Sequence, residues 1–217
     1  MKNIIFSGRI RNSILPEKTG TNIRRNILWI VFILIVTAGA AAGALSGKYA
    51  DSGLMKSLDI IFLTNMQLRT GTEIFRLFTA SFASNFIFLL SVFLTGLTLW
   101  GLAAVPFIPF IKGYGYGLTA GYVYSQYGMP GIFYNILVIL PGAFLFALVI
   151  SAAAKEAFSN SLMLVTMFMK RAVRDDPAVR IKQYLLSMLW LLFLTALSSA
   201  ADMIFSLMFS WIFGFSG

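Results

Sequence analysis

Between Arg76 and Lys112 the chain carries no charged side chain for 35 consecutive residues, Leu77 to Ile111. At about 1.5 Å per helical residue such a run is longer than the roughly 30 Å hydrocarbon layer of a bilayer, so it must turn in or beside the lipid. Other uncharged apolar runs, each about 20 residues or more, recur along the sequence. The chain is 59% hydrophobic and 12% charged, where an ordinary soluble domain is about 25% charged. The expected fold class is therefore all-α. It is a polytopic integral membrane protein of about five transmembrane helices, some of them broken at Pro or Gly, with the lipid bilayer as its main solvent.

In chain order, residues 1–26 form a basic tail and 27–217 a single transmembrane helical domain. Its spans are read at about 27–45, 82–105, 112–127, 131–154 and 184–209, with an outer loop at 46–80 and a cytoplasmic loop at 155–183. Pro106 ends the second span, because proline disfavours helix in the residue before it, and Pro106 to Pro109 makes a tight inner turn. Lys112 then snorkels from the start of the third span. Met129 to Met169 would make one straight helix of about 60 Å, so a break or kink is expected at Pro141-Gly142. Two placements fit this region. One spans Gly131 to Ala154 and lays Ala157 to Met169 in the inner interface; the other spans Gly142 to Met169 with Lys155 and Glu156 at mid-depth. A central charge costs about 2.5–3.5 kcal/mol, which favours the first.

The basic residues set the orientation. The tail and the 155–183 loop hold twelve of the seventeen lysines and arginines, the 46–80 loop holds four, and Lys112 lies at an inner turn. Five crossings with the amino terminus inside and the carboxyl terminus outside place the basic segments in the cytoplasm, as the positive-inside rule requires.

Two glycine stripes stand out. Gly39, Gly43 and Gly47 fall four residues apart, and so do Gly113, Gly117 and Gly121, so each set lines one side-chain-free face of a helix. In lipid such faces let helices approach to backbone contact. A phosphate-binding loop would need a strand before the glycines and a soluble helix after them, and the flanks here are continuous apolar sequence. The spans assigned above put the first stripe near the outer leaflet and the second near the inner. They are therefore not expected to meet, and each is expected to find a partner of its own, a homo-oligomer being the natural one.

Chemistry is thin. Cysteine and histidine are absent, which removes thiolates, disulfides, the usual metal ligand and the usual general base. No catalytic, cofactor or metal site is expected. Asp51, Asp59 and Glu73 read as a solvated face, and no basic stretch interleaved with aromatics suggests a nucleic-acid partner. Tyr114, Tyr116, Tyr122, Tyr124 and Tyr127 read as interface anchors. Lys112 and Asp202 are the candidate functional polar residues in the membrane. Asp202 lies about 27 Å along a helix from Tyr184, which favours a structural place at the outer rim, with Thr195, Ser198, Ser199 and Ser206 at helical spacings to hydrogen-bond it.

The order of these features resembles the stage II sporulation protein M family. The resemblance is carried by the span ending Gly101-Leu-Ala-Ala-Val-Pro106, then Ile111-Lys-Gly-Tyr-Gly-Tyr-Gly-Leu-Thr-Ala-Gly121, Gln126-Tyr-Gly128, Gly131 and Leu140-Pro141. Many relatives carry a polar or acidic residue just after the Leu-Pro, where this chain has Gly142, Ala143 and Phe144. The resemblance implies a non-catalytic, multi-pass anchor in the cell membrane. Such a scaffold would position extracytoplasmic cell-wall hydrolases at the septal membrane during engulfment. The competing expectation is a permease-like subunit of an ABC-type export complex, with helices broken at Pro106 and Pro141 lining a path.

Overall fold

The computed structural model describes residues 18–49, 53, 56–58, 74–169 and 177–209. The first part of the basic tail, most of the outer loop, residues 170–176 of the basic loop and the aromatic tail around Trp211 lie outside the described residues. Those described are helical, with no strand among them. Helix α1 is Lys18–Lys48, α2 is Ile74–Gly96, α3 is the single turn Gly101–Ala104 and α4 is Phe107–Tyr134. A π-helical turn, Asn135–Ile139, leads into α5, Leu140–Phe168, and α6 is Pro177–Phe209.

Among the described residues four helical runs are long and apolar enough to cross a membrane: Ile27–Lys48, Phe75–Gly96, Gly101–Phe168 and Val179–Phe209. The third has 68 residues, and it is folded back on itself. Gly128 has φ 56° and ψ −132°, a conformation that side-chain-bearing residues rarely adopt, and Pro130 follows two residues later at the start of the returning limb. Across this hairpin a Cβ on Gly101 would come 3.0 Å from Ser161 Oγ, Lys112 lies beneath the Phe146 ring and Asn135 donates to the Tyr124 hydroxyl. The two limbs are antiparallel, so the described residues form five legs.

Contacts fix the directions of the others. Along α2 and α6, Ser81 meets Asp202, Asn85 meets Ser199 and Tyr184 meets the Phe93 carbonyl, an antiparallel pair. Helix α1 runs parallel to the first limb of α4. One end of the bundle thus gathers Gly96, Ser161 and Tyr184, next to the basic loop; the far end gathers Leu58, Tyr122, Gly142 and Asp202. The core between α1, α2, α5 and α6 is built from Phe32, Val92, Phe146, Ile150 and the small residues Ala153, Ala154 and Ala157. Large apolar side chains point outward instead, Leu34, Ile87, Leu186 and Trp190 among them, as a lipid-facing surface requires.

The glycine stripes pack on each other, contrary to expectation. Gly39, Gly43 and Gly47 lie against the carbonyls of Phe110, Tyr114 and Leu118, while Gly113, Gly117 and Gly121 lie against those of Val36, Ala40 and Ala44. The inner-leaflet depth assigned to the second stripe rested on a span starting at Lys112. In the structure α4 starts at Phe107, already level with the middle of α1. Val36 and Gly39, which bracket the level of Lys112, are the tenth and thirteenth residues of the 22-residue apolar run Ile27–Lys48. Both stripes are therefore at one depth, and each is the other's partner.

Helix α2 also ends earlier than expected, at Gly96 rather than Val105. The terminal carbonyls of a helix lack intrahelical donors, and in lipid they need other ones. Tyr184 Oη donates to Phe93 at 2.9 Å, Asn160 Nδ2 to Gly96 at 2.9 Å and Ser161 Oγ to Thr98 at 2.9 Å. With its end closed from α5 and α6, the chain reverses through Leu97 to Trp100 and α3. Pro106 and Pro109 do not form that turn. Pro106 is the N-cap of α4, and Pro109 lies buried in its first turn, where a missing N–H costs nothing.

The expected break falls just before Pro141, where the α-helix gives way to the π turn Asn135–Ile139, but it does not separate an interfacial helix, because α5 runs unbroken from Leu140 through Lys155 and Glu156 to Phe168. Those two charges pair at 2.9 Å, which offsets the insertion cost that favoured a break.

Candidate functional site

The polar side chains of α2, α4 and α6 converge on a cavity of about 380 Å³ near the far end of the bundle. From α2 it takes Ser81, Ser84, Asn85 and Phe88; from α4, Lys112, Gly115, Tyr116 and Thr119; from α5 and α6, Gly142 and Asp202. Leu58, Leu77 and Tyr122 close the far end.

Lys112 does not snorkel. Its side chain turns inward and the residue is 8% exposed. Its Nζ donates to Ser84 Oγ at 3.2 Å and stands 4.6 Å from the Phe88 ring centre, 5.0 Å from Tyr116 and 5.1 Å from Phe146. Three aromatic faces replace part of the hydration that a buried ammonium loses, through attraction to the ring quadrupoles. The neighbouring positions explain the inward turn. Gly113 is pressed against α1 and leaves no freedom there, while Gly115 leaves open space over the cavity.

Asp202 is also 8% exposed and belongs to the cavity rather than to an exposed rim. Ser81 Oγ donates to Asp202 Oδ2 at 2.6 Å, a charge-assisted bond. For Thr195, Ser198 and Ser199 the expected hydrogen bonds to the carboxylate are replaced by others. Thr195 and Ser199 give their hydroxyls to the carbonyls of Leu191 and Thr195, and Ser198 donates to the Gly142 carbonyl at 3.0 Å. Gly142 has its own reason to be glycine: a Cβ there would sit 2.5 Å from the Cβ of Asp202. Pro141-Gly142 thus brings α5 against α6 at the level of the acid. Asn85 Nδ2 reaches Ser199 Oγ at 3.4 Å, which ties α2 to α6 one turn deeper.

One cation and one anion therefore share a cavity inside the membrane-spanning bundle, and Asp202 acts electrostatically on Lys112. Both charges stand out in the sequence, where they are expected at opposite surfaces. The side chains that hold them do not, although Ser81, Ser84, Asn85 and Phe88 recur at i, i+3, i+4 and i+7 within the charge-free run. Tyr116 and Tyr122 are not the expected interface anchors. Tyr122 is 1% exposed, and Tyr116 is a wall of the lysine's cage. Among the described residues no group of His, Cys, Asp and Glu is arranged to hold a metal ion.

A family model described as stage II sporulation protein M matches residues 28–201. No curated protein matches, and no solved structure matches. The matched range takes in α1 from Leu28 onward, α2, both limbs of the hairpin and α6 up to the residue before Asp202.

Proposed function

The chain belongs to the stage II sporulation protein M family, and from that premise we propose that it is a non-catalytic membrane scaffold that positions peptidoglycan-degrading partners during engulfment or related wall remodelling. The coarser part of this, a multi-pass membrane protein of a sporulation family, follows from the match and the helices. The single observation that carries the finer reading is the docking of Leu58. This residue lies in the connection between α1 and α2, yet it is 7% exposed and packs with Tyr122, Val123, Tyr134 and Val138. The longest connection in the chain is thus held to the bundle at Tyr49, at Leu58 and at Ile74, which suits a segment that presents itself to a partner.

The orientation follows from charge. The bundle end at Gly96, Ser161 and Tyr184 adjoins the basic loop and faces the cytoplasm by the positive-inside rule. The far end, with Leu58, then faces the wall, in a septal or forespore-engulfing membrane. The glycine stripes supply no argument for a homo-oligomer, because each is filled by the other within one chain.

Affinity purification from sporulating membranes tests the scaffold. The intact chain is expected to bring down a cell-wall hydrolase, and a chain with residues 50–73 replaced by a glycine-serine linker is expected to lose it. Undiminished hydrolase binding by the replaced chain excludes the connection as the docking site. A second reading, a permease-like subunit of an export complex, is favoured by the hairpin break at Gly128, the π turn and the polar cavity toward the far end of the bundle, since interrupted helices mark transporter sites. Flux in vesicles reconstituted with a partner ATPase distinguishes it.

A further inference from the structure

The cavity has a chemical polarity that the scaffold reading does not use. Its two charges are stacked along the bundle. Ser81 and Asp202 form the level nearer the far end; Ser84 and Lys112 lie deeper, by the three-residue step from Ser81 to Ser84, about 4.5 Å of helix rise. The cavity is also open sideways. Gly115 lines it, yet a Cβ on Gly115 would meet nothing within 4 Å. Ile111, another lining residue, is 56% exposed on the lipid-facing surface. A ligand can therefore keep apolar chains in the bilayer while its polar group lies between α2 and α4.

We propose that this cavity binds the headgroup of a phospholipid bearing a primary ammonium, with a phosphate oxygen on Lys112 and Ser84 and the ammonium on Asp202. Net charge argues for a zwitterion. An anion alone would face the Asp202 carboxylate, and a cation alone would face Lys112, with one buried charge opposed in either case. Order argues for a lipid. In a membrane leaflet the phosphoester lies on the acyl side and the amine on the water side, which is the order of Lys112 and Asp202 from the middle of the bundle outward. Donor count argues for a primary amine, since a quaternary ammonium has no N–H to give a carboxylate. Burial gives these contacts their strength, because Lys112, Asp202 and Asn85 are each at most 8% exposed.

The full-length protein, purified in detergent, is incubated with equal amounts of phosphatidylethanolamine, phosphatidylcholine and phosphatidylglycerol of matched acyl chains. Retained lipid is counted by native mass spectrometry. The wild type is expected to favour the ethanolamine lipid about tenfold, the discrimination that one charge-assisted hydrogen bond supplies. Asp202→Asn is expected to abolish that preference, and Lys112→Met to lower the retention of all three lipids together, since each carries the phosphate. Gly115→Leu fills open space and is expected to melt like the wild type while losing the bound lipid. Excess free phosphoethanolamine separates the sources: displacement assigns the site to the headgroup chemistry alone, and no displacement assigns it to the intact lipid. Equal retention of all three lipids overturns the proposal, as does a preference for phosphatidylglycerol or a preference that survives in Gly115→Leu. If either charge variant fails to fold, the glycine variant and the competitor still decide.

Discussion

Gly117 of α4 meets the carbonyl of Ala40 in α1 so closely that no side chain fits between the two backbones. Five further glycines repeat the contact on alternating sides, so the α1–α4 interface is a zipper of hydrogen atoms against carbonyl oxygens. In lipid, where burying apolar surface between helices gains little, such backbone approach supplies the dispersion and weak hydrogen bonding that hold helices together.

A Gly117→Ile variant must therefore push α1 off α4. Overpacking of a tight core costs typically 1–3 kcal/mol, and here the obstacle is backbone, so a loss of about 3 kcal/mol is expected. Thermal melting in detergent should show it. Oligomer size, read by light scattering, should not change, because the stripe is satisfied within one chain. A variant that melts like the wild type but changes oligomer size would refute the intramolecular pairing.

The charge pair makes a prediction about coupling rather than about either residue. Lys112→Met leaves Asp202 in the cavity without its cation, and Asp202→Asn leaves Lys112 without its anion. Removing one member of a buried pair is expected to destabilise by about 3–5 kcal/mol, less here to the extent that Ser81, Ser84 and the three rings satisfy the survivor. The double variant should recover part of the loss, giving a coupling of about 0.5–3 kcal/mol in a double-mutant cycle. Additive single effects would mean that the two charges do not sense each other.

How far these arrangements can be read from the chain alone depends on range. The charge-free runs identify a helical membrane protein because lipid penalises every unpaired backbone group, a local matter. The glycine spacing identifies packing faces for the same reason. Which face meets which depends on where α4 begins. That is set by the closure of α2 at Gly96, and the side chains responsible, Asn160, Ser161 and Tyr184, lie more than 60 residues away. The site fails in the same way. Lys112 and Asp202 are visible as charges in apolar sequence, but the serine-asparagine stripe of α2 that receives them is polar enough to matter and too mild to interrupt the run. What turns Lys112 inward is the packing of Gly113 on α1, a contact about 75 residues away in the chain.

Gly128 offers a test of the hairpin. Its φ of 56° with ψ of −132° lies where a Cβ is strained, at about 1–3 kcal/mol for a non-glycine residue. A Cβ there would meet no neighbour within 4 Å, so space does not confuse the result. Gly128→Ala is expected to lose about 2 kcal/mol on that conformational ground alone, measured by thermal melting. D-Alanine, introduced by semisynthesis, fits positive φ and should restore most of the loss. Equal destabilisation by both enantiomers would place the cost in packing and not in the turn.

The odd number of legs makes the last prediction, which concerns sidedness. Helices α1, the first limb of α4 and α6 run one way, and α2 and α5 run the other, so Lys18 and Phe209, the two ends of the described bundle, lie on opposite sides whichever way it inserts. The twelve basic residues of the tail and of the stretch 155–183 then choose the insertion, since cytoplasmic segments hold the excess of lysine and arginine. A periplasm-type reporter fused after Gly217 is expected to be active, and a cytosol-only fluorescent reporter at the same place to stay dark. Replacing Lys170, Arg171 and Arg174 with glutamine should weaken that bias, and moving three lysines into 50–73 should weaken it further, by adding positive charge to the segment that has to cross. A carboxyl terminus that reports from the cytosol in the unaltered chain would give the protein an even number of crossings, and the antiparallel hairpin at Gly128 would then be the leg to re-examine.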